Sequence, residues 1–348
     1  MIILGIESSC DETAAAVVKD GRTILGNAVQ SQIDIHTAFG GVVPEIAARS
    51  HIEIILPVVD KALKDAHVTW SDIDAIAVTY APGLIGSLLI GVLTARTLAI
   101  VKNKPLYHIH HVEGHVYANF LEPLDEPKFP MLSLIVSGLH SQLVLFKNHG
   151  DFALLGQTQD DAVGEAFDKV ARMLGFPYPG GPKISAAALE GDPHKYKFPK
   201  ARMHGKYDFS FSGLKTAVLR QAQALCNVGH DFSSNGLAER LTSSQRNDIA
   251  ASFQHTAVEA LVDKTIMAYN EYSPASVVIA GGAAANQELR RQLKERIPIA
   301  VEYAAPSLCT DNAAMIASLA YYRSAFQKPC DPYSLEAIPS LSMMTHAI

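Results

Sequence analysis

Four of the eight residues from His108 to His115 carry an imidazole, and His111 and His115 stand four positions apart. This spacing puts two side chains on one face of a helix, one turn apart. Neutral imidazole nitrogens are common ligands of zinc and ferrous iron. Two interpretations of the pair stay open: a divalent metal ion with a third ligand from elsewhere in the chain, or hydrogen bonds to backbone carbonyls. For His108 and His110 we favour the second.

Glu113 lies between these histidines but does not match the glutamate of a metalloprotease. In the H-E-x-x-H motif the glutamate directly follows the first histidine, whereas Glu113 comes two positions after His111. The arrangement therefore lacks the base that would activate water. The sequence argues against a protease.

Composition bounds the class of protein. The chain has 348 residues, of which 48% are hydrophobic and 18% charged, enough for two hydrophobic cores. Its four cysteines are far apart and form no C-x-x-C pair, which is typical of reduced thiols in a cytoplasmic protein. We expect no signal peptide, because the first residues read as a strand without a basic flank. The net charge of -6 means that any contact with RNA must be local.

One long apolar stretch resembles a membrane span. It runs from Leu84 to Val101, but Arg96 interrupts it, and Gly86 and Gly91 give one face of the helix small side chains. We expect a buried helix packed against a sheet or at a domain seam, and no contact with a membrane.

Hydrophobic periodicity predicts a duplicated α/β fold. The first half reads as three strands followed by alternating helices and strands, in the order βββαβαβα. A proline-rich linker follows from Pro123 to Pro130, and the pattern then restarts. We expect one domain at 1–125 and a second at 126–348, with an insertion at about 178–245. Because pockets favour domain interfaces, we expect a ligand in a cleft between the halves.

Three glycine-containing or hydroxyl-rich turns are candidates for phosphate binding. The segments Gly5 to Thr13 and Ser137 to Ser141 join strands at equivalent positions in the two halves, and their backbone N–H groups can face phosphate oxygens. The pair Gly281 and Gly282 can let a nucleotide ring approach the backbone closely. Such turns are also ordinary hairpin chemistry, so their recurrence in a repeat is the main signal.

Ordered motifs over nearly the whole chain resemble one family. They are GIESSCDETA from Gly5, FGGVVPE from Phe39, HHVEGH from His110, GEAFDK from Gly164, YPGGP from Tyr178, DFSFSGLKT from Asp208 and CTDNAAMIA from Cys309. The chain is similar to the bacterial tRNA N6-adenosine threonylcarbamoyltransferases, members of the actin-like ATPase superfamily (ASKHA, RNase H-like fold) that were long mislabelled as O-sialoglycoprotein endopeptidases. The resemblance implies a duplicated actin-like fold with two domains and an interdomain cleft.

The resemblance also implies site residues. The family's metal ligands fall on His111, His115 and Asp311. Its substrate-binding positions fall on Ile135, Val136, Ser137, Gly138, Leu139, Asp168, Gly181 and Asn286. Three of these residues have ordinary structural alternatives: an exposed ion pair with Lys169 for Asp168, and helix capping for Asn286 and Asp311. Leu139 departs from the glycine that the family usually has, which can change how closely a ligand approaches the turn.

The implied reaction transfers a threonylcarbamoyl group from threonylcarbamoyl-adenylate to N6 of the adenosine 3′-adjacent to the anticodon, in tRNAs that read A-starting codons, and releases AMP. The adenine nucleotide binds as part of this substrate. One divalent metal ion, Fe²⁺ or Zn²⁺, would assist the acyl transfer as a Lewis acid. Asp11 is our tentative choice for the amine proton, with Glu12 as the runner-up, and hairpin hydrogen bonding is the alternative for both. A nucleotide-driven ATPase, chaperone or kinase of the same superfamily is the alternative function, followed by a metalloprotease.

Partners also follow from the resemblance: tRNA, an inactive paralogous subunit that pairs through the first domain, and a small ATPase. The paralogue's docking surface would include the helices after Val43. The best local signal for RNA is the segment His194 to Tyr207, where five basic residues alternate with aromatic ones. A solvated loop is its equal alternative. We interpret the polar stretch Ser233 to Asn247 as a mobile connector.

Overall fold

The computed structural model describes residues 1 to 343. The chain opens with three strands, a short helix and a long helix: β1 (Ile2–Glu7), β2 (Glu12–Lys19), β3 (Thr23–Ser31), α1 (Ile33–Thr37) and α2 (Pro44–Asp65). Strands and helices then alternate as β4 (Ala75–Ala81), α3 (Ile85–Lys102), β5 (Leu106–His110) and α4 (His111–Tyr117). This is the predicted order of the first half, with α1 added.

The second half repeats this order with extra helices. Its first elements are β6 (Met131–Val136), β7 (Ser141–Asn148), β8 (Asp151–Gln157) and α5 (Val163–Met173). Three further helices follow: α6 (Gly180–Ala188), α7 (Ser212–Leu225) and α8 (Ser243–Tyr272). The half ends with β9 (Ser276–Ala280), α9 (Gln287–Arg296), β10 (Val301–Tyr303), α10 (Pro306–Cys309) and α11 (Ala313–Ser324).

Two five-stranded sheets with the same topology confirm the duplication. The first sheet has the strand order β3-β2-β1-β4-β5, and the second has β8-β7-β6-β9-β10. In the first sheet β1 pairs antiparallel with β2 and parallel with β4. In the second sheet β6 pairs parallel with β9, the equivalent of β4. Each meander is therefore followed by strands that return through helical crossovers.

The described chain divides into two compact units. Unit 1 contains Met1–Phe129, Phe146–Ala153 and the segment that begins at Glu302, and unit 2 contains Pro130–Leu145 and Leu154–Val301. The C-terminal segment belongs to unit 1 because α11 packs on β1 and β2. Gly5 permits this close approach, since a Cβ at that position would lie 2.3 Å from the carbonyl oxygen of Ala313. The sequence division at 1–125 and 126–348 stays a prediction about the duplicated halves.

Helix α3 is long and apolar enough, by length and composition alone, to cross a membrane. It packs on β4 and α2, with Leu88, Gly91 and Val92 among its buried residues. This packing on a sheet is the predicted one. The opposite face of α3 exposes Leu89 and Leu93, which the sequence interpretation had as buried.

The region of the predicted insertion is more ordered than we expected. The stretch Ser233 to Asn247 is not a simple connector, because α8 already begins at Ser243. Thr242 caps that helix, since its hydroxyl oxygen accepts a hydrogen bond from the backbone N–H of Gln245. The side-chain oxygen of Gln245 accepts one from the backbone N–H of Thr242, which completes a capping box. The Thr-x-x-Gln spacing is a known helix-start signal, so the start of α8 at Ser243 could have been predicted from the sequence.

Candidate functional site

The two histidines and the aspartate meet in unit 1. His111 and His115 lie one turn apart on α4, which begins where β5 ends, and Asp311 lies two residues before α11. Nε2 of His115 lies 3.2 Å from Oδ1 of Asp311, and Nε2 of His111 lies 3.6 Å from it. One ligand atom from each residue lies within 4.8 Å of the other two, so the group can hold a metal ion.

Asp311 does not cap the helix that follows it. The cap of α11 is Asn312, whose side-chain oxygen accepts a hydrogen bond of 3.1 Å from the backbone N–H of Met315. The sequence alternative of a capping role for Asp311 is therefore wrong. Its carboxylate instead faces the two imidazoles.

A buried carboxylate fixes the orientation of His111. Oε2 of Glu7 lies 3.1 Å from Nδ1 of His111, and Ser9 Oγ lies 3.1 Å from the same nitrogen. Because an ionised carboxylate can only accept, Nδ1 donates to Glu7, and Nε2 is the nitrogen that can bind a metal in exchange for a proton. Glu7 also accepts hydrogen bonds from the backbone N–H of Ser9 and from the hydroxyl of Thr79, so both of its oxygens are satisfied.

His115 has the opposite environment. It is 1% exposed, and neither of its ring nitrogens makes a hydrogen bond within residues 1 to 343. A buried polar atom without a partner is costly, and such atoms often mark an ion or ligand that binds there. Nε2 of His115 faces Oδ1 of Asp311 at 3.2 Å without a hydrogen bond to it, and a metal ion bound by both would satisfy both atoms, so the residues present fit the ion that the resemblance implies.

Electrostatics at the turn between β1 and β2 favour a cation. Burial raises the pKa of Glu12, and the charges of Asp311 and Asp11 raise it further, to about 9. Burial alone would lower the pKa of His111, but the charges of Glu7 and Asp311 outweigh it and raise the pKa to about 9. Crowded carboxylates that push protons onto their neighbours will also attract a divalent ion.

The two candidate proton acceptors lie at this turn. Asp11 is buried, and Glu12 is the first residue of β2. Oε1 of Glu12 accepts a hydrogen bond of 3.1 Å from Ser31 Oγ on β3, which is the hairpin bonding that we had considered as its alternative. Catalytic roles for both acids stay predictions.

Unit 2 contains a cavity of about 770 Å³. Gly181 and Asn286 line it, together with Phe167, Ser185 and Gln254. A Cβ on Gly181 or Gly282 would meet no atom within 4 Å, so both glycines leave space in the cavity wall. Two of the predicted substrate-binding residues therefore meet at one pocket.

Asp168 holds the start of a neighbouring helix. Its Oδ1 accepts a hydrogen bond of 2.7 Å from the backbone N–H of Gly180, the first residue of α6. Burial raises its pKa, against the hydrogen bonds from Gly180 and Gly181. The alternative of an ion pair with Lys169 is wrong, because Lys169 pairs with Asp161 and Glu165.

The turn from Ile135 to Leu139 ends β6. Ile135 and Val136 are buried strand residues, whereas the side chain of Leu139 is 61% exposed. The carbonyls of Ser137 and Gly138 accept hydrogen bonds from the backbone N–H groups of Gly164 and Glu165, at 3.2 and 3.1 Å. These bonds fix the turn against the start of α5. The turn does not contribute to the lining of the cavity, but Gly164 does.

The close glycine pair after β9 has a structural reason. Gly281 has φ +88, and a Cβ there would lie 2.5 Å from the carbonyl oxygen of Val136. The backbone that approaches Gly281 is therefore that of β6. Gly282 is the glycine that borders open space in the cavity.

Several residues of the predicted RNA segment make contacts within unit 2. Lys200 pairs with Glu259 and Asp263, Lys206 pairs with Glu271, and Tyr207 is buried. The basic residues of the segment without such pairs are Lys195, Lys197 and Arg202, all exposed. The aromatic and basic pattern thus reflects packing on α8 as much as a surface for RNA.

Sequence reasoning missed two residues of these sites. Glu7 lies in a strand, and nothing in its neighbourhood marks it as the group that orients His111. Gln254 lies in the middle of α8, a long helix with many buried residues. Both depend on contacts between segments far apart in the chain, so the sequence carries no local signal for them.

The fold defines the structural class of this protein. The chain is a duplicated α/β protein of the actin-like type with two compact units, which confirms the predicted fold. Among solved structures, the HypF of T. kodakarensis aligns over 93% of this chain and 48% of its own length, with a TM-score of 0.62 and 12% identity. A full-length HypF in a phosphate- and nucleotide-bound form covers 93% and 46%, with a TM-score of 0.57 and 14% identity. At such identities the likeness concerns the fold alone.

Sequence relatives identify the family. The family model of TsaD, tRNA N6-adenosine threonylcarbamoyltransferase, matches residues 23–318. The enzyme of that name from Thermomicrobium roseum is 52% identical over 334 residues, 92% of each chain. The one from Symbiobacterium thermophilum is 49% identical over 348 residues, which covers 98% of this chain and 97% of the relative. The chain belongs to the tRNA N6-adenosine threonylcarbamoyltransferase family and is a transferase of tRNA modification.

Proposed function

We propose that this protein transfers the threonylcarbamoyl group of threonylcarbamoyl-adenylate to N6 of the adenosine 3′-adjacent to the anticodon, in tRNAs that read A-starting codons. The new bond joins N6 to the carbamoyl carbon, the bond from that carbon to the phosphate oxygen breaks, and AMP leaves. The amine gives up one proton. The single observation that carries the proposal is the convergence of His111, His115 and Asp311 in a chain of this family.

The metal ligands would be His111, His115 and Asp311, and we propose Fe²⁺ as the ion, with Zn²⁺ as the other candidate. Two imidazoles and one carboxylate suit either ion. When bound, the ion would supply Lewis-acid polarisation of a substrate oxygen. Glu7 would keep Nε2 of His111 directed at the ion.

The cavity of unit 2 would bind the adenosine part of the donor. Its volume of about 770 Å³ lies within the range of small-molecule sites, and its lining is largely apolar with a few polar groups. Gly181 and Asn286 would line the site for this part of the substrate. We propose that Asp168 and the turn from Ile135 to Leu139 complete the binding site, with Asp168 acting through the start of α6.

Asp11 would accept the proton that leaves N6. The pKa of Glu12, about 9, keeps that carboxyl protonated at neutral pH, so it is a poor proton acceptor. Asp11 is the other buried acid on the same turn.

The paralogous subunit would dock on α2 and α3, in the first half of the chain. These two helices contact each other, and both expose large apolar side chains. Ile52 and Leu56 on α2 are 61% and 59% exposed, and Leu89 and Leu93 on α3 are each 44% exposed.

We propose that tRNA contacts the exposed Lys195, Lys197 and Arg202. A small ATPase would complete the complex, and the protein would work in the cytoplasm.

Transfer of a labelled threonylcarbamoyl group from its adenylate to unmodified tRNA tests the proposal. The assay compares the wild-type protein with the double variant His111→Ala, His115→Ala, in the presence of the partner proteins. His230→Ala, which changes an exposed histidine, is the control. We expect labelled tRNA with the wild type and the control only.

Other outcomes of this assay separate the alternatives. Equal labelling by the double variant would contradict a role of the metal in the reaction. No labelling by any variant, together with ATP turnover that does not need the histidines, would favour a nucleotide-driven ATPase or kinase. Metal analysis of anaerobically purified protein distinguishes Fe²⁺ from Zn²⁺, and Asp311→Asn should lower the metal content in the same measurement.

A further inference from the structure

A buried glutamine presents an unused donor to the cavity of unit 2. Gln254 lies on α8, is 8% exposed and lines the cavity. Its Oε1 accepts two hydrogen bonds, from Asn286 Nδ2 at 2.9 Å and from Ser185 Oγ at 2.8 Å. Within residues 1 to 343, Nε2 of Gln254 makes no hydrogen bond. A donor that lines a cavity and has no acceptor within the protein can be satisfied by an acceptor of a bound ligand.

The orientation of this amide follows from the backbone. Asn286 caps α9, and its Oδ1 accepts a hydrogen bond of 3.0 Å from the N–H of Leu289. Because that oxygen is fixed by a backbone donor, Nδ2 of Asn286 must face Gln254, and the atom that it meets must be an acceptor. If the amide of Gln254 were flipped, its Nε2 would face Nδ2 of Asn286, and both of these groups are donors. Nε2 is therefore the atom of Gln254 left for other contacts.

Asn286 itself has little left to offer a ligand. Its Nδ2 donates to Ser185 Oγ at 3.2 Å as well as to Gln254, and its Oδ1 holds the helix start. All three side-chain bonds are internal. The predicted substrate-binding role of Asn286 then passes to the residue that it orients.

We propose that Gln254 donates a hydrogen bond from Nε2 to a ring nitrogen of the adenine bound in this cavity. Asn286 and Ser185 act as positioning residues that keep the amide in one orientation. This inference rests on the proposed function, since it requires the adenosine part of the donor in the cavity. Adenine suits the site because its ring nitrogens are acceptors and its faces are apolar, as are most of the residues around Gln254.

Binding of AMP and its deaza analogues to the full-length protein tests the contact. The 1-deaza, 3-deaza and 7-deaza analogues each replace one ring nitrogen by a C–H group. We expect one of them to bind wild type about tenfold more weakly than AMP, as for a lost buried hydrogen bond. Gln254→Met should bind AMP about tenfold more weakly, and the same analogue should cause no further loss in that variant. A merely structural role of Gln254 would not cancel the effect of one analogue.

Gln223→Met is the matched control. Gln223 is a buried glutamine of unit 2 that donates to the carbonyls of His230 and Phe232 and does not line the cavity. Its variant should bind all four nucleotides as the wild type does. If Gln254→Met fails to fold, the wild type alone still decides, because equal affinity for AMP and all three analogues would overturn the contact.

The outcomes also separate this inference from the proposed function. AMP binding with no analogue effect, or an analogue effect that persists in Gln254→Met, overturns the role of Gln254 and leaves the transferase intact. No binding of AMP by wild type overturns both the contact and the assignment of the cavity.

Discussion

Glu7 and His111 form a buried contact of 3.1 Å between Oε2 and Nδ1, through the ring nitrogen opposite the one that faces Asp311. The carboxylate thereby orients the ring of a proposed metal ligand. Glu7→Gln keeps the shape but removes the charge. We expect the variant to bind the metal about tenfold more weakly, the low end for such supporting residues. Competition with a chelator measures this affinity.

The control for that variant is Glu302→Gln. Glu302 is a half-buried carboxyl of unit 1 whose pKa is raised by burial and by Asp125, not by any residue of the metal group. It should bind the metal as the wild type does. An unchanged affinity in Glu7→Gln would contradict the orienting role.

Glu113 and Arg323 form a buried ion pair between α4, which carries His111 and His115, and α11, which follows Asp311. The side chains are 0% and 5% exposed. Removal of one partner leaves the other charge buried and unpaired, so Arg323→Met should lower the free energy of unfolding by about 3–5 kcal/mol. The double variant Glu113→Gln, Arg323→Met should lose less than the sum of the two single variants. Urea denaturation measures all three, and additive losses would argue against direct coupling.

Gly281 permits the backbone after β9 to approach the end of β6 closely. With φ +88 and ψ 166 it has a backbone conformation that is essentially restricted to glycine. Gly281→Ala should therefore lower the stability by more than about 2 kcal/mol. Gly282→Ala is the matched variant, because a Cβ there meets nothing within 4 Å, and it should stay within about 0.5 kcal/mol of wild type. Thermal unfolding compares the two, and equal losses would be the contrary result.

Asp161 links two lysines in unit 2, at 2.8 Å from Lys169 and 2.6 Å from Lys215. Burial would raise its pKa, but the hydrogen bonds from both lysines outweigh it and lower the pKa. A carboxyl with a lowered folded-state pKa stabilises the fold above its unfolded pKa of about 4 and loses this contribution as the pH falls through the folded value. Asp161→Asn should cost about 2 kcal/mol at pH 7 and less at about pH 3, below the unfolded pKa of a carboxyl.

Unfolding at several pH values tests this dependence. Asp231→Asn, at an exposed position of the same unit, should change the stability little at any pH. A loss in Asp161→Asn that is the same at both pH values would mean that packing, rather than charge, explains it.

Much of the fold could be predicted because hydrophobic periodicity is local. The strands and most helices of both halves follow from it, and so does the duplication. Helices α6 and α7 were missed, since Gly180, Gly181 and Pro182 at the start of α6 read as a loop. The start of α6 depends instead on Asp168, whose carboxylate accepts the N–H of Gly180.

The metal group could be predicted only in part from spacing. The pair His111 and His115 is visible as one turn of a helix, but Asp311 joins it through the packing of α11 on β1. The resemblance supplied that third residue, whereas the residues that orient side chains, Glu7 and Gln254, depend on contacts that no local pattern records. Asn286 was expected both to cap a helix and to bind substrate, and the structure bears out the cap.

The order of the metal ligands along the chain has a consequence for biosynthesis. His111 and His115 leave the ribosome early, and Asp311 follows only after Leu154–Val301 of unit 2 has been translated. A nascent chain that stops before Asp311 has two imidazoles and lacks the carboxylate. If these residues bind the proposed ion, tight metal loading would be a late event of synthesis, and truncated products should not compete effectively with the finished protein for the ion.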